Sequence, residues 1–232
     1  MIAKEYLEKV YDALSQEQKL KLALYNDFGE KAQPLFDWLN HSDSNQSDSK
    51  PVIDKVETIY PDGVYYLYKD GSKELFDYAR QNKPQKEVKR IGVKMGEHSI
   101  AINLKGLQER TLTKRESNDD YNGYIHECGD AVVDWNGRSN TEHIKHTGIN
   151  AKLDDDEWIP SVAELYLIYL NKRSVNSAIN LSGEIRLKDG WLWSSTEQST
   201  RYAWSFNFGD GGLSNNTKDS TKLYIYTVAE FI

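Results

Sequence analysis

Three groups of residues in this chain carry the atoms that chemistry needs. The first is the hydroxyl run Ser194-Ser195-Thr196, set between Trp193 and Glu197. A serine nucleophile requires a histidine base beside it. The five histidines are His41, His98, His126, His143 and His146, and none stands in a recognisable catalytic motif. The run therefore reads as small hydroxyls that close a buried turn. The second group is Asp154-Asp155-Asp156-Glu157, whose oxygens suit a hard cation such as calcium. An EF-hand loop spaces its ligands around a glycine, and this run does not, so it reads as an exposed acidic loop before a helix. No metal ligand is assigned. The third is Cys128 in HECGD, the single cysteine of the chain. It cannot form an intramolecular disulfide and reads as a semi-buried thiol. None of the three groups implies a catalytic residue or a cofactor, so no enzyme is expected.

Binding chemistry is better represented. Between Gln198 and Lys222 the apolar anchors Ala203, Trp204, Phe206 and Phe208 alternate with polar residues. Alternation predicts Trp204, Phe206 and Phe208 facing a core, with Ser205 and Asn207 facing outward. The candidate ligand-binding residues are Gln198, Ser199, Thr200, Arg201, Tyr202, Ser205, Asn207, Asp210, Ser214, Asn215, Asn216, Lys218, Asp219 and Thr221. Ser, Thr, Asn, Tyr and Arg are the vocabulary of antibody loops, in which Tyr gives rigid contact and the others adaptable hydrogen bonds. A solvated hairpin has the same composition, and both readings stand at this point.

The elements that position these residues follow from periodicity. Trp191 and Trp193 in WLWSSTE share one face of a strand and read as core. Upstream, Ser161 and Glu164 form a capping box opening a helix that buries Leu165, Ile168 and Tyr169. A shorter helix is expected at about 140–147, starting at Asn140 or Thr141. Residues 108–134 are polar and irregular. RIGVKMGEHSIAINL reads as a hairpin turning at Gly96-Glu97, and Asp62-Gly63 and Asp70-Gly71 mark turns. Strands, then helices, then strands make the class α+β. Ile2, Tyr6, Leu7, Val10, Tyr11 and Leu14 recur at helical spacing, so residues 1–40 form a small N-terminal helical segment. It is either a cap on the main domain or a docking arm for an assembly or chaperone partner. The Ser/Asp-rich stretch 41–50 is a linker, and 51–232 the ligand-binding domain.

Bulk properties narrow the classes further. The chain has 232 residues and a formal net charge of -7, against the basic footprint of a nucleic-acid binder. No run approaches the length of a membrane span. The start MIAKEYLEKVYDAL has no uninterrupted apolar stretch after its lysine, so no signal peptide is expected. Synthesis in a reducing cytoplasm follows, with later display on a virion left open.

Four segments carry a family resemblance: WNGRSNTEHI at 135–144, WIPSVAELYLIY at 158–169, WLWSSTE at 191–197 and AWSFNFGDGGLSNNTK at 203–218. In this order and spacing they resemble the major paralogous domain family of bacteria and phages, over roughly residues 58–232. The resemblance implies a C-type-lectin-like fold. It also implies similarity to the variable proteins of diversity-generating retroelements, which rewrite adenines in a C-terminal stretch of codons. Asn codons are adenine-rich, and their rewriting yields Ser, Thr, Tyr and Asp. The expected function is recognition of a protein or glycan ligand on a cell surface, as in phage receptor binding, through a hypervariable face. Two alternatives are an enzyme of the formylglycine-generating type on the same fold, and a structural spacer without a ligand. The family's closing arginines are missing from LYIYTVAEF, and its usual second cysteine is absent.

Overall fold

The densest apolar run among the strands, Val64-Tyr65-Tyr66-Leu67-Tyr68, is buried at every position. Such a strand has to be covered on both sides. The computed structural model describes residues 60–104, 109–116, 121–184 and 187–231. The expected helical segment at 1–40 and linker at 41–50 lie outside these. Strand β1 (Gly63–Tyr68) pairs antiparallel with β2 (Lys73–Leu75) and β3 (Val88–Met95). A hairpin at Gly96-Glu97 joins β3 to β4 (His98–Asn103), and Gly96 takes a φ of 61°, which favours glycine. Strand β6 (Glu157–Trp158) and the C-terminal β11 (Val228–Ala229) complete a sheet of order β2-β1-β3-β4-β11-β6.

The second sheet has the order β5-β10-β7-β8-β9. Its members are β5 (Glu109–Arg110), β7 (Trp191–Glu197), β8 (Tyr202–Asn207), β9 (Leu213–Thr217) and β10 (Leu223–Tyr224). Leu192 joins the larger core, which includes Phe206, Phe208, Leu165, Ile168 and the residues of β1. Trp193, next in sequence, joins a second core with Leu112, Ile144, Ile159 and Ala203. Strand β7 is therefore covered on both faces. Trp191 is only half-buried, whereas Trp193 is fully buried. Ser194, Ser195 and Thr196 lie within this strand, not in a turn.

Among the described residues four helices lie between β5 and β7 in sequence, with β6 separating the second from the third: α1 (Cys128–Ala131), α2 (Gly137–Lys145), α3 (Val162–Leu170) and α4 (Lys172–Leu181). The Ser161–Glu164 capping box is present at the start of α3. Helix α2 begins at Gly137, earlier than periodicity suggested. The Asp134 carboxylate accepts from the Asn136 main chain and from the Asn136 and Asn140 side chains, organising the first turn. Helix α4 was not among the expected elements, and its Asn and Ser content is poor in helix propensity. It forms because Val175, Ala178 and Ile179 fall on one buried stripe. The class is α+β. No helix among the described residues is long and apolar enough to cross a membrane.

Gly137 gives a prediction whose sign opposes helix propensity. Alanine in a helix ordinarily gains about 1 kcal/mol over glycine. A Cβ at Gly137 would lie 2.0 Å from Glu164 Oε2 and 2.8 Å from the Ser161 main-chain nitrogen. Gly137→Ala must therefore push the capping box apart and destabilise the fold by about 1–3 kcal/mol, the range of other overpacked sites. Urea unfolding of the two proteins measures it.

Candidate functional site

The four segments that carry the resemblance converge on one buried hydrogen-bond network. Ser195 donates through its main-chain nitrogen to the Pro160 carbonyl at 2.8 Å, and through Oγ to the Gly137 carbonyl at 3.3 Å. Thr196 Oγ1 donates to Asp134 Oδ2 at 2.7 Å and accepts from the Val162 nitrogen at 3.1 Å. Thr141 Oγ1 bonds both the nitrogen and the carbonyl of Ile159. Ser194 Oγ donates to the Trp204 carbonyl at 2.7 Å. Each of these polar groups would cost free energy if buried alone, and each has a partner. The hydroxyl run is thus a staple between α2, α3, β7 and β8. No histidine bonds to these three hydroxyls among the described residues.

Glu164 is, with Asp134, a titratable member of this network. Its Oε2 accepts from Ser161 N at 2.8 Å and from Trp158 Nε1 at 3.1 Å. Burial pushes its carboxyl from an ordinary 4.5 up to about 7, outweighing those bonds. The folded state then holds a proton that the unfolded chain releases above pH 4.5. Stability from this group is full below pH 4.5 and is lost as pH rises to about 7, a change of about 3 kcal/mol. Burial lowers the pKa of His143, so its own effect runs the other way, with stability lost as pH falls below 6.5. Thermal unfolding of wild type and Glu164→Gln across pH 4.5–7 separates the two. The wild type should lose stability relative to the variant as pH rises.

The staple holds β7 and β8, and the candidate ligand-binding residues lie in the β7–β8 loop (Gln198 to Arg201), on the β8–β9 hairpin and in the segment just after it (Lys218, Asp219, Thr221). Trp204 is buried, and its Nε1 donates to the Ile125 carbonyl at 2.7 Å. Phe206 and Phe208 are fully buried. Around these anchors the candidates divide into two sets. Ser199, Asn207 and Asp210 accept main-chain hydrogen bonds that shape the turns, and Thr221 bonds Thr217. Gln198, Thr200, Tyr202, Ser214, Asn215 and Asp219 are at least partly exposed, and their side chains make no hydrogen bond to other described residues. Arg201 is exposed and pairs at the surface with Glu116 at 2.9 Å. Tyr202 and Asn215 belong to the register positions of the Trp204 side, and Ser214 to the opposite side. The unused polar groups on the hairpin strands therefore fall on both sides of the sheet instead of forming one flat face.

Two of the candidates are not at the surface. Ser205 is fully buried, accepting from Asn216 Nδ2 at 2.8 Å and donating to the Ser214 carbonyl. Alternation put it on the correct side of β8, but Asn216 and Ser214 on the neighbouring strand cover it. Lys218 is 0% exposed. Its ammonium bonds Glu197, itself buried, and the Ser199 carbonyl at 3.1 Å. It joins the end of β9 to the end of β7 and offers nothing to a ligand.

This ion pair belongs to a cluster that sequence reading did not assemble. His143 Nε2 lies 3.2 Å from Glu197 Oε2, and the Tyr121 ring stacks on His143 with centroids 3.4 Å apart. Burial, with Glu197 and Asp134 nearby, raises the Tyr121 pKa. Burial lowers that of Lys218, with Glu197 opposing it. His143, Glu197 and Lys218 are far apart in sequence, and no local spacing announces them. The only signal was a carboxylate closing a strand of otherwise uncharged residues.

The remaining candidates for chemistry are dispersed. Cys128 is exposed, where a semi-buried thiol was expected. In the acidic run, Asp154, Asp155 and Asp156 are exposed, but Glu157 is buried in β6 against Arg90 and Asn103. Among the described residues no three His, Cys, Asp or Glu side chains cluster as a metal site would. No protein-family model and no curated protein matches the chain.

Proposed function

We propose that this chain is a non-catalytic recognition protein with a C-type-lectin-like domain, which binds a protein ligand on a cell surface through the β8–β9 hairpin. One observation carries this reading. Six partly or fully exposed polar side chains have hydrogen-bonding capacity that the described fold leaves unused: Tyr202, Ser214 and Asn215 on the hairpin, whose anchors are buried, and Gln198, Thr200 and Asp219 in the segments flanking it. Polar groups on a rigid support lose little entropy when a ligand orders them. Tyr202 adds a large aromatic surface of the kind that dominates binding energies.

The C-terminal β11 returning beside β4, and a second antiparallel set β7-β8-β9 carrying the WLWSSTE and AWSFNF segments, support the lectin-like assignment. So does the meeting of all four family-like segments in one interior network, since segments with a shared structural duty keep their order and spacing. The Asn, Ser, Thr and Tyr content of the hairpin supports a face that adenine-directed rewriting changes, on a domain displayed by a phage or a bacterial surface.

The test replaces Thr200, Tyr202 and Ser214 by alanine together in the full chain. Binders from a random peptide display library and from a glycan array serve as probes. The expected result is at least about ten-fold weaker binding of the selected probes, with thermal stability within about 0.5 kcal/mol per site of wild type. Unchanged binding of every probe would overturn the reading.

A further inference from the structure

The five-stranded sheet ends at β9, and its outer edge is of an unusual kind for this fold. Edge strands display unpaired main-chain groups, and proteins ordinarily blunt them by shortness, lysine, proline or a bulge. The other three sheet edges follow that rule. Strands β5 and β6 have two residues each, and β2 has three, beginning with Lys73. Strand β9 has five residues, Leu213–Thr217, with no lysine or proline, and its register with β8 runs without a shift. None of its residues is buried.

The hydrogen-bond phase of this edge can be worked out. Asn207 N donates to the Gly212 carbonyl at 2.8 Å, and Lys218 N to the Arg201 carbonyl at 3.0 Å. In an antiparallel pair, hydrogen-bonded and non-hydrogen-bonded positions alternate. Gly212, Ser214, Asn216 and Lys218 therefore turn their main-chain groups toward β8. Leu213, Asn215 and Thr217 turn theirs away. The Thr217 carbonyl is taken by Thr221 N at 3.0 Å. No hydrogen bond among the described residues ends on the main chain of Leu213 or Asn215. Two donor–acceptor sets thus point outward, about 6.8 Å apart, the two-residue repeat of an extended chain.

We propose that this edge pairs with an extended segment of the protein ligand, which adds a sixth strand beside β9. The inference rests on the recognition reading above and names its partner class. An extended polypeptide offers N–H and C=O groups at the same repeat, whereas a glycan offers hydroxyls at no such fixed period. Main-chain pairing supplies affinity indifferent to side chains, and flanking side chains supply specificity. Tyr202 and Asn215 on one side of the edge and Ser214 on the other are placed to be those flanks. The arrangement lets side chains of the hairpin change while the pairing groups stay in place.

The experiment selects peptides of about twelve residues, long enough to exceed one ordinary strand, from a random display library on the full chain. Affinities are then measured with Asn215→Pro and Asn215→Ala. Proline removes the outward N–H, which the β8 ladder does not use, and such positions tolerate proline. Alanine keeps it. Asn215→Pro should weaken binding about ten-fold or more beyond Asn215→Ala, which loses the same flanking side chain but keeps the N–H, the effect of leaving a paired carbonyl unsatisfied. Single N-methylation along the peptide needs no protein variant, and should weaken binding at alternate residues only. Equal loss with both variants and no period of two would overturn the edge pairing while leaving recognition by hairpin side chains intact. A glycan as the sole binder would overturn it as well. So would a dimer of the full chain, seen by sedimentation and lost in Asn215→Pro, since a second copy would then occupy the edge.

Discussion

Lys218→Ala is expected to destabilise the domain by about 3–5 kcal/mol, the cost of stripping one partner from a buried ion pair. The lysine is fully buried and its ammonium bonds Glu197. Without it the Glu197 carboxylate stays 2% exposed beside His143, with a charge that the interior stabilises poorly. In a domain of this size the loss lowers Tm by about 6–20 °C. Lys218→Met combined with Glu197→Leu removes both charges and should recover most of the stability, because paired burial costs nearly what it returns. Thermal unfolding of the single and double variants decides the matter. An effect of Lys218→Ala as small as that of an exposed lysine would place this side chain at the surface after all.

Trp204→Ala comes next in size, at about 3–5 kcal/mol. It empties the space between Ala131 and Val162 and strands the Ile125 carbonyl that its indole nitrogen satisfies. Trp204→Phe keeps most of the ring and loses only the hydrogen bond, for about 1 kcal/mol. Asn215 faces Trp204 across the strands, yet Asn215→Ala should move stability by less than about 0.5 kcal/mol. Urea unfolding of the three variants measures this contrast between neighbours. It is the energetic form of a fixed support carrying replaceable side chains.

The sequence made the two hairpins, the Ser161–Glu164 cap and the anchors Trp204, Phe206 and Phe208 legible, because each depends on residues within a few positions of one another. It did not make Lys218 legible. A lysine in a run of Ser, Asn, Thr and Asp reads as surface, and only the approach of β7 to the end of β9 gives it a buried partner. Ser205 failed for a related reason. Strand alternation assigns a side but says nothing of what covers it. The hydroxyl run of WLWSSTE was read correctly as interior, but its partners Pro160, Gly137 and Asp134 come from two other segments that no local pattern ties to it. Helix α4 has no side-chain cap at its start, and only the stripe of Val175, Ala178 and Ile179 marks it in the sequence.

The division into support and changeable residues also sharpens what variation in nature should look like. A face open to rewriting has to spare the side chains on which folding depends. Ser205, Lys218, Trp204 and Phe206 belong to that protected set. Gln198, Thr200, Tyr202, Ser214, Asn215 and Asp219 do not.

The most direct measurement is deep sequencing of the codons for residues 190–225, with their flanking DNA, in a natural population. The account predicts adenine-restricted variation at Gln198, Thr200, Tyr202, Ser214, Asn215 and Asp219, with codons for Trp204, Ser205, Phe206 and Lys218 fixed, and a near-copy template nearby. Uniform codons without a template, or variation that falls on the buried and exposed positions alike, would contradict it.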